Sequence, residues 1–319
     1  MKYREVGRTG IEVSEVGFGT WELGGMEWGD ISDADALAVL RHAYDRGITF
    51  YDTANVYGPG RSEELLGEAF AGMDDVIIAT KVAFPMDTDG HIVAGGPGPI
   101  HNLSREAILT ECDLSLKRLQ RDTIDFYQMH RPPDHHEWDE SFGAMEELRA
   151  AGKIRHYGVA LGSMADGLKA VRENDIACLM TTFNCLNQEP ADELMPAMLA
   201  KGVSLFARVP LASGFLTGTL TPNTEFAWND KRGVIPRDEY LATLAQAERM
   251  RFLEDEPGVG SMAEGALKFV LAHEAVASVV AGMMRLFEVD LNVAASGEGL
   301  SEGAVERVRE VYREGLSGG

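Results

Sequence analysis

Eight short runs of β-branched or apolar residues alternate with longer amphipathic segments along nearly the whole chain, and this alternation narrows the folds open to it. The short runs cover residues 16–19, 49–52, 76–80, 124–129, 156–160, 178–182, 204–207 and 278–280. Helical periodicity fills the intervals at 33–46, 62–70, 104–119, 137–151, 164–172, 191–200, 261–272 and 286–294. Repeated strand–helix units predict a parallel sheet with its helices outside, and eight of them predict an α/β chain closed into a (β/α)8 TIM barrel. Ser62 and Ser104, each followed two residues later by a glutamate, suit helix N-termini, whereas Gly47, Gly152 and Gly202 suit the left-handed residue that ends a helix.

Three pieces fall outside the repeat: residues 2–14, read as an N-terminal β-hairpin capping the barrel bottom, residues 217–256, and an extra C-terminal helix at 301–313. None has the marks of a second domain, so residues 1–319 are expected to form a single barrel. The connections 83–103 and 217–256 follow the third and seventh strands and carry enough Gly and Pro to act as adaptable lids over a mouth.

Composition removes several classes of function. A net charge of -22 excludes nucleic acid and disfavours an anionic membrane surface, since both are recognised through clustered Lys and Arg. The cysteines Cys112, Cys178 and Cys185 are odd in number and lack metal-ligand spacing, which predicts reduced thiols and no metal site. His91, His101, His135 and His136 are likewise assigned no metal. The N-terminal MKYREVGRTG has no apolar run of the secretory kind, so the expected compartment is the cytoplasm. Oligomeric state is not written in any of these features.

Four polar residues fall at or just beyond successive strand ends: Asp52 in TFYDTANVYG, Tyr57 five residues later, Lys81 closing VIIATK and His130 closing DFYQMH. In a barrel these positions share one rim, because the loops after the strands surround the mouth. A phenol of ordinary pKa, about 10, is a weak acid at neutral pH. An ammonium beside it favours the phenolate, and a carboxylate keeps that ammonium charged and oriented. Tyr57 is thus expected to be a general acid toward a carbonyl whose oxygen His130 hydrogen-bonds. Taken singly, each residue has an ordinary structural use, such as a helix cap, a surface pair, a satisfied core histidine or a packed ring. All four uses meeting on one rim would be a coincidence.

These residues, with GFGTWELGG, FYDTANVYGPGRSEELLG, SLKRLQRDTIDFYQMHRPP, GKIRHYGVALGS and VPLASGFLTG, make the chain similar to the aldo-keto reductases over nearly its whole length. The resemblance implies NADPH extended across the barrel mouth, with NADH the alternative, and direct hydride transfer to a small-molecule aldehyde, ketone or keto-sugar. It also implies that Asp52, Tyr57, Lys81 and His130 form a catalytic tetrad. By the same resemblance Thr20 and Trp21 lie near the nicotinamide, the loop of Pro210, Leu211, Ser213 and Gly214 cradles the pyrophosphate, and Gly19, Asp52 and Leu216 also bind the cofactor. Gly282, Arg285, Glu288 and Asn292 fall in the segment that binds adenosine and its 2′-phosphate.

The departures are specific. Ala160 and Leu161 stand where such proteins usually read Ser-Asn, Met180 stands for a frequent Gln, and Arg208 replaces the aromatic residue that stacks on the nicotinamide. A guanidinium can stack in its place, and its charge disfavours the cationic oxidised ring, a bias toward reduction. Trp21, Trp28, Phe84 and Trp228 are candidates for the substrate pocket, and Met283 with Met284 reads as packing. Two further readings keep the barrel: a lyase or epimerase running proton transfer through Tyr57 and Lys81, and a nicotinamide-binding accessory or sensor protein.

Overall fold

The structure is a computed structural model that describes the whole chain except residues 26, 85–93, 96, 97, 100, 135, 136, 318 and 319. Eight parallel strands close into a barrel in chain order: β1 (Val16–Gly19), β2 (Phe50–Asp52), β3 (Ile77–Val82), β4 (Ile124–Met129), β5 (Ile154–Ala160), β6 (Cys178–Thr182), β7 (Ser204–Arg208) and β8 (Val276–Gly282). Closure is made by β8 on β1, with Val279 opposite Val16 and Gly282 opposite Gly19. All eight expected strands are present. Several run longer than the local pattern indicates, so that Lys81 and Arg208 lie inside β3 and β7 instead of after them.

Strands buried on both faces read as near-continuous apolar runs, and two separate cores explain why these do. Between strands and helices lies a large cluster built on residues such as Leu40, Leu66, Ile108, Met145, Leu205 and Leu267. Inside the barrel, Phe50, Phe126 and Phe206 pack together, with Phe50 and Phe206 centroids 4.4 Å apart. An antiparallel hairpin, Tyr3–Glu5 with Glu12–Ser14, places Val6, Ile11 and Val13 in that inner cluster and closes the barrel bottom. The C-terminal end of the strands is therefore the open one.

The outer helices are α1 (Asp33–Asp45), α2 (Arg61–Phe70), α3 (Arg105–Leu119), α4 (Trp138–Ala150), α5 (Met164–Glu173), α6 (Leu194–Lys201), α7 (Arg237–Glu248), α8 (Met262–Leu271), α9 (Leu286–Val293) and α10 (Glu302–Ser317). Ser104 caps α3 as expected, accepting from the Ala107 N–H. Ser62 does not cap α2: it is buried in the first turn and its hydroxyl donates to Thr20 Oγ1 at 2.5 Å. The main addition to the expected plan is α7, inside the 217–256 connection. The three cysteines are free and buried, and burial raises all three thiol pKa values, that of Cys112 to about 12. No helix among the described residues is long and apolar enough to cross a membrane.

Candidate active site

Each member of the expected tetrad is set by a strand. β2 ends at Asp52, and the following turn is closed by the Tyr57 N–H donating to the Ala54 carbonyl at 3.1 Å. Lys81 is the penultimate residue of β3, and His130 follows β4 directly, its N–H donating to Val82 O at 2.7 Å. The Lys81 ammonium donates to Asp52 Oδ2 at 2.7 Å, to the Thr53 carbonyl at 2.7 Å and to Tyr57 Oη at 3.4 Å. Three donors meet three acceptors, and Lys81 is only 1% exposed. The Tyr57 ring stacks on Trp21 at 5.9 Å between centroids and meets the edge of His130 at 5.8 Å.

Burial governs the charges here. It raises the Asp52 carboxyl and lowers the Lys81 ammonium, and each opposes the other's shift through their shared ion pair. Tyr57 is pushed well above 10 by burial first and by the Asp52 charge second. The expected acidification by Lys81 is therefore not the resting state, because Asp52 cancels the ammonium and desolvation decides the sign. His130 is held well below 6.5 by burial, then by Lys81, Arg208 and Arg131, so its imidazole is neutral at pH 7. Its Nδ1 has no hydrogen-bond partner among the described residues.

From the tetrad a groove of about 820 Å³ runs past Arg208 and the 210–214 loop to Gly282 and α9. Of the expected cofactor residues, Gly19, Trp21, Asp52, Arg208, Pro210, Leu211, Ser213, Gly214, Gly282, Glu288 and Asn292 line it. Thr20, Leu216 and Arg285 do not. Thr20 is fully buried, its hydroxyl donating to the Asp52 carbonyl at 2.9 Å, so it braces the tetrad from behind. Leu216 belongs to the outer core, and Arg285 is exposed at the start of α9. Val209, Ala212 and Ser213 have φ of 54°, 49° and 56°, a left-handed backbone that non-glycine residues adopt at a cost of about 1–3 kcal/mol each and that concentrates at functional loops.

Where Ser-Asn and Gln are usual, this barrel is apolar. Ala160 and Leu161 are buried, Leu161 packs against Gly167 of α5, and Met180 lines the groove. Trp28 and Phe84 line it as well, but Trp228 is 93% exposed and does not. Met283 is buried as expected of packing, yet it borders the groove together with Met284. His91, His135 and His136 lie outside the described residues.

Several lining residues have no local signal in the sequence. The 217–256 connection folds back over the first loop: the Lys231 N–H donates to Glu27 O at 2.9 Å, and Lys231 Nζ lies 3.5 Å above the Trp21 ring. Glu22 lines the same groove with its carboxyl raised to about 7, by burial first and against the pull of Lys231 and Arg232. Only its position beside Trp21 could have drawn attention to it. Phe287 and Leu291 of α9, 60% and 48% exposed, border the far end of the groove.

Comparison with known proteins agrees with this geometry. The profile of the aldo/keto reductase family matches residues 15–313. The chain is 32% identical over 293 residues to the aldo-keto reductase YhdN of Bacillus subtilis, covering 84% of this chain and 86% of that protein. Among solved structures it is similar to the holo form of aldo-keto reductase AKR11C1 from Bacillus halodurans, with a TM-score of 0.81, 28% identity and 98% and 96% of the two chains covered. It is also similar to the glycerol dehydrogenase AKR11B4 from Gluconobacter oxydans, with a TM-score of 0.86, 25% identity and 99% and 97% covered. With the barrel, the strand-end tetrad and a family match across nearly its full length, the chain belongs to the aldo/keto reductase family, the carbonyl-reducing class of oxidoreductases that uses a nicotinamide cofactor.

Proposed function

We propose that the chain reduces the carbonyl of a small aldehyde, ketone or keto-sugar with NADPH or NADH bound along the groove, and that Asp52, Tyr57, Lys81 and His130 are its catalytic groups. The observation that carries this reading is the Lys81 ammonium, bonded to Asp52 at 2.7 Å and 3.4 Å from the Tyr57 hydroxyl at the open end of the barrel. The residues present fit a dinucleotide. The groove lies in the range of about 300–1,000 Å³ typical of small-molecule sites, and two of its lining residues, His130 and Arg208, keep buried nitrogens without partners among the described residues. A glycerol dehydrogenase among the similar structures supports small hydroxylated carbonyl compounds as the substrate class.

The bound cofactor would supply a hydride to the carbonyl carbon. The chain supplies the rest. Neutral His130 offers a hydrogen bond that orients the carbonyl oxygen, and Tyr57 releases its proton to that oxygen as negative charge develops. A phenol raised above 10 remains acidic enough for this step, since an alkoxide is about as basic as hydroxide, whose parent water has a pKa of about 15.7. The phenolate left behind then faces the Lys81 ammonium. That attraction is weak while Tyr57 is neutral and strong once its proton has moved, so it favours the transition state over the ground state.

The test is oxidation of NADPH and NADH by a panel of small aldehydes and ketones, followed as loss of nicotinamide absorbance. Turnover is expected in the wild type. In Tyr57→Phe it should fall by about 10² to 10⁴ with nucleotide affinity retained. Unchanged turnover in that variant rejects Tyr57 as the acid.

A further inference from the structure

The groove has two ends, and the one away from the tetrad is α9. A dinucleotide that brings its redox ring to Tyr57 places its adenosine half along the remainder of the same groove, toward Phe287, Glu288, Leu291 and Asn292. This step rests on the dinucleotide reading above.

At that end Glu288 turns back onto the start of its own helix. Its Oε2 accepts from the Met284 N–H at 2.6 Å and from the Arg285 N–H at 3.0 Å. Free N–H groups at a helix start are what a phosphate would use. Here a carboxylate of the chain already holds the N–H of the cap residue Arg285 and that of Met284 before it. The surrounding cations do not offset it. Arg285 is exposed and outside the groove lining, while Arg46 pairs with Asp290 at 2.9 Å. A second carboxylate, that of Glu22, lies against Gly282 at the approach to α9.

We infer that Glu288 makes this groove selective for the dinucleotide that lacks a 2′-phosphate, NADH, against the NADPH that the family resemblance implies. The Glu288 carboxylate occupies the N–H groups of Met284 and Arg285 and repels a phosphate dianion. Its other oxygen, Oε1, is not engaged in any hydrogen bond found among the described residues and can accept from the ribose 2′-hydroxyl, the role an acidic side chain plays in other NAD sites. One hydrogen bond to a charged group corresponds to a preference of about tenfold or more.

The experiment is a titration of the whole protein with NADH and with NADPH, read by nucleotide fluorescence and not by turnover. ADP-ribose and its 2′-phosphorylated counterpart are used as competitors. NADH is expected to bind about tenfold tighter or better, and the two competitors should differ by the same ratio, because the discrimination lies at the adenosine end. Glu288→Gln keeps an oxygen for the helix N–H groups and removes the charge. It should narrow the gap, chiefly by tightening NADPH. NADPH binding as tightly as NADH in the wild type overturns the selectivity and leaves the dinucleotide reading intact. Binding of neither nucleotide overturns both.

Discussion

The carboxylate of Glu22 lies directly against the Cα of Gly282, so closely that a methyl group at the strand end would have to displace it. This contact sits where the groove passes from the tetrad to α9, and burial raises the acid to about 7. Lys231 and Arg232 act to lower it, and Glu288 acts with burial. The phosphates of any dinucleotide are anionic, so binding should favour the protonated form of Glu22. Affinity is expected to weaken as pH rises from about 6 to 8 across the Glu22 value of about 7, and Glu22→Gln should flatten that dependence. Stability carries the same sign. The folded value exceeds the ordinary 4.5, so the folded chain holds the extra proton and loses stability as pH rises from about 4.5 toward 7. Nucleotide titrations at several pH values check the first statement, and denaturant melts of wild type and variant check the second.

Lys81 and Asp52 are 1% and 4% exposed, so removing one leaves the other buried without its counter-charge. Lys81→Met should cost about 3–5 kcal/mol of stability as well as turnover. The double variant Asp52→Asn with Lys81→Met should recover much of the stability and none of the activity. Chemical denaturation beside turnover measurements separates the two effects. Recovery of activity in the double variant would show that the ammonium has no part in the chemistry.

The grouping of Asp52, Tyr57, Lys81 and His130 was legible because they lie at or just beyond strand ends, and a closed barrel brings strand ends to one rim whatever the loops do. The sign of the Tyr57 shift was not legible, because it depends on burial and on how fully Asp52 cancels Lys81. Residues assigned by resemblance divided for a similar reason. Leu216 looks like a cofactor contact in one dimension but is buried in the outer core, and the Thr20 hydroxyl is claimed by Asp52 O and Ser62. Helix α7 escaped detection since it buries only Tyr240 and Ala247 and shows no continuous apolar stripe. Lys231 over Trp21 is a purely tertiary contact.

Gly24 and Gly58 hold the Trp21 and Tyr57 loops together through backbone contact. A Cβ on Gly24 would stand 2.7 Å from the Gly58 nitrogen, and one on Gly58 would strike the Gly24 carbonyl oxygen, at a residue whose φ is +60°. Gly58→Ala should therefore destabilise the chain by about 1–3 kcal/mol. By shifting the Tyr57 turn away from Trp21 it should also lower kcat more than it weakens nucleotide binding. A variant with wild-type kcat and melting temperature would mean that the turn accommodates the methyl group without moving Tyr57.

Arg208 ends β7 beside the tetrad, and no ion pair or side-chain hydrogen bond engages it among the described residues, where its Nε is buried without a partner. Its charge already lowers the pKa values of Tyr57, Lys81 and His130. The oxidised nicotinamide ring is a cation and the reduced ring is neutral, so a fixed positive charge at the mouth should make the site bind the reduced cofactor more tightly than the oxidised one. Unit charges about 4 Å apart interact by roughly 1–4 kcal/mol in water-exposed to partly buried settings. Arg208→Met is thus expected to shift the ratio of oxidised to reduced affinity by about tenfold in favour of the oxidised form. The same substitution should move the His130 titration upward, which nuclear magnetic resonance can follow without any cofactor present. Two unmoved readouts would place the guanidinium too far from the reacting groups to bias them.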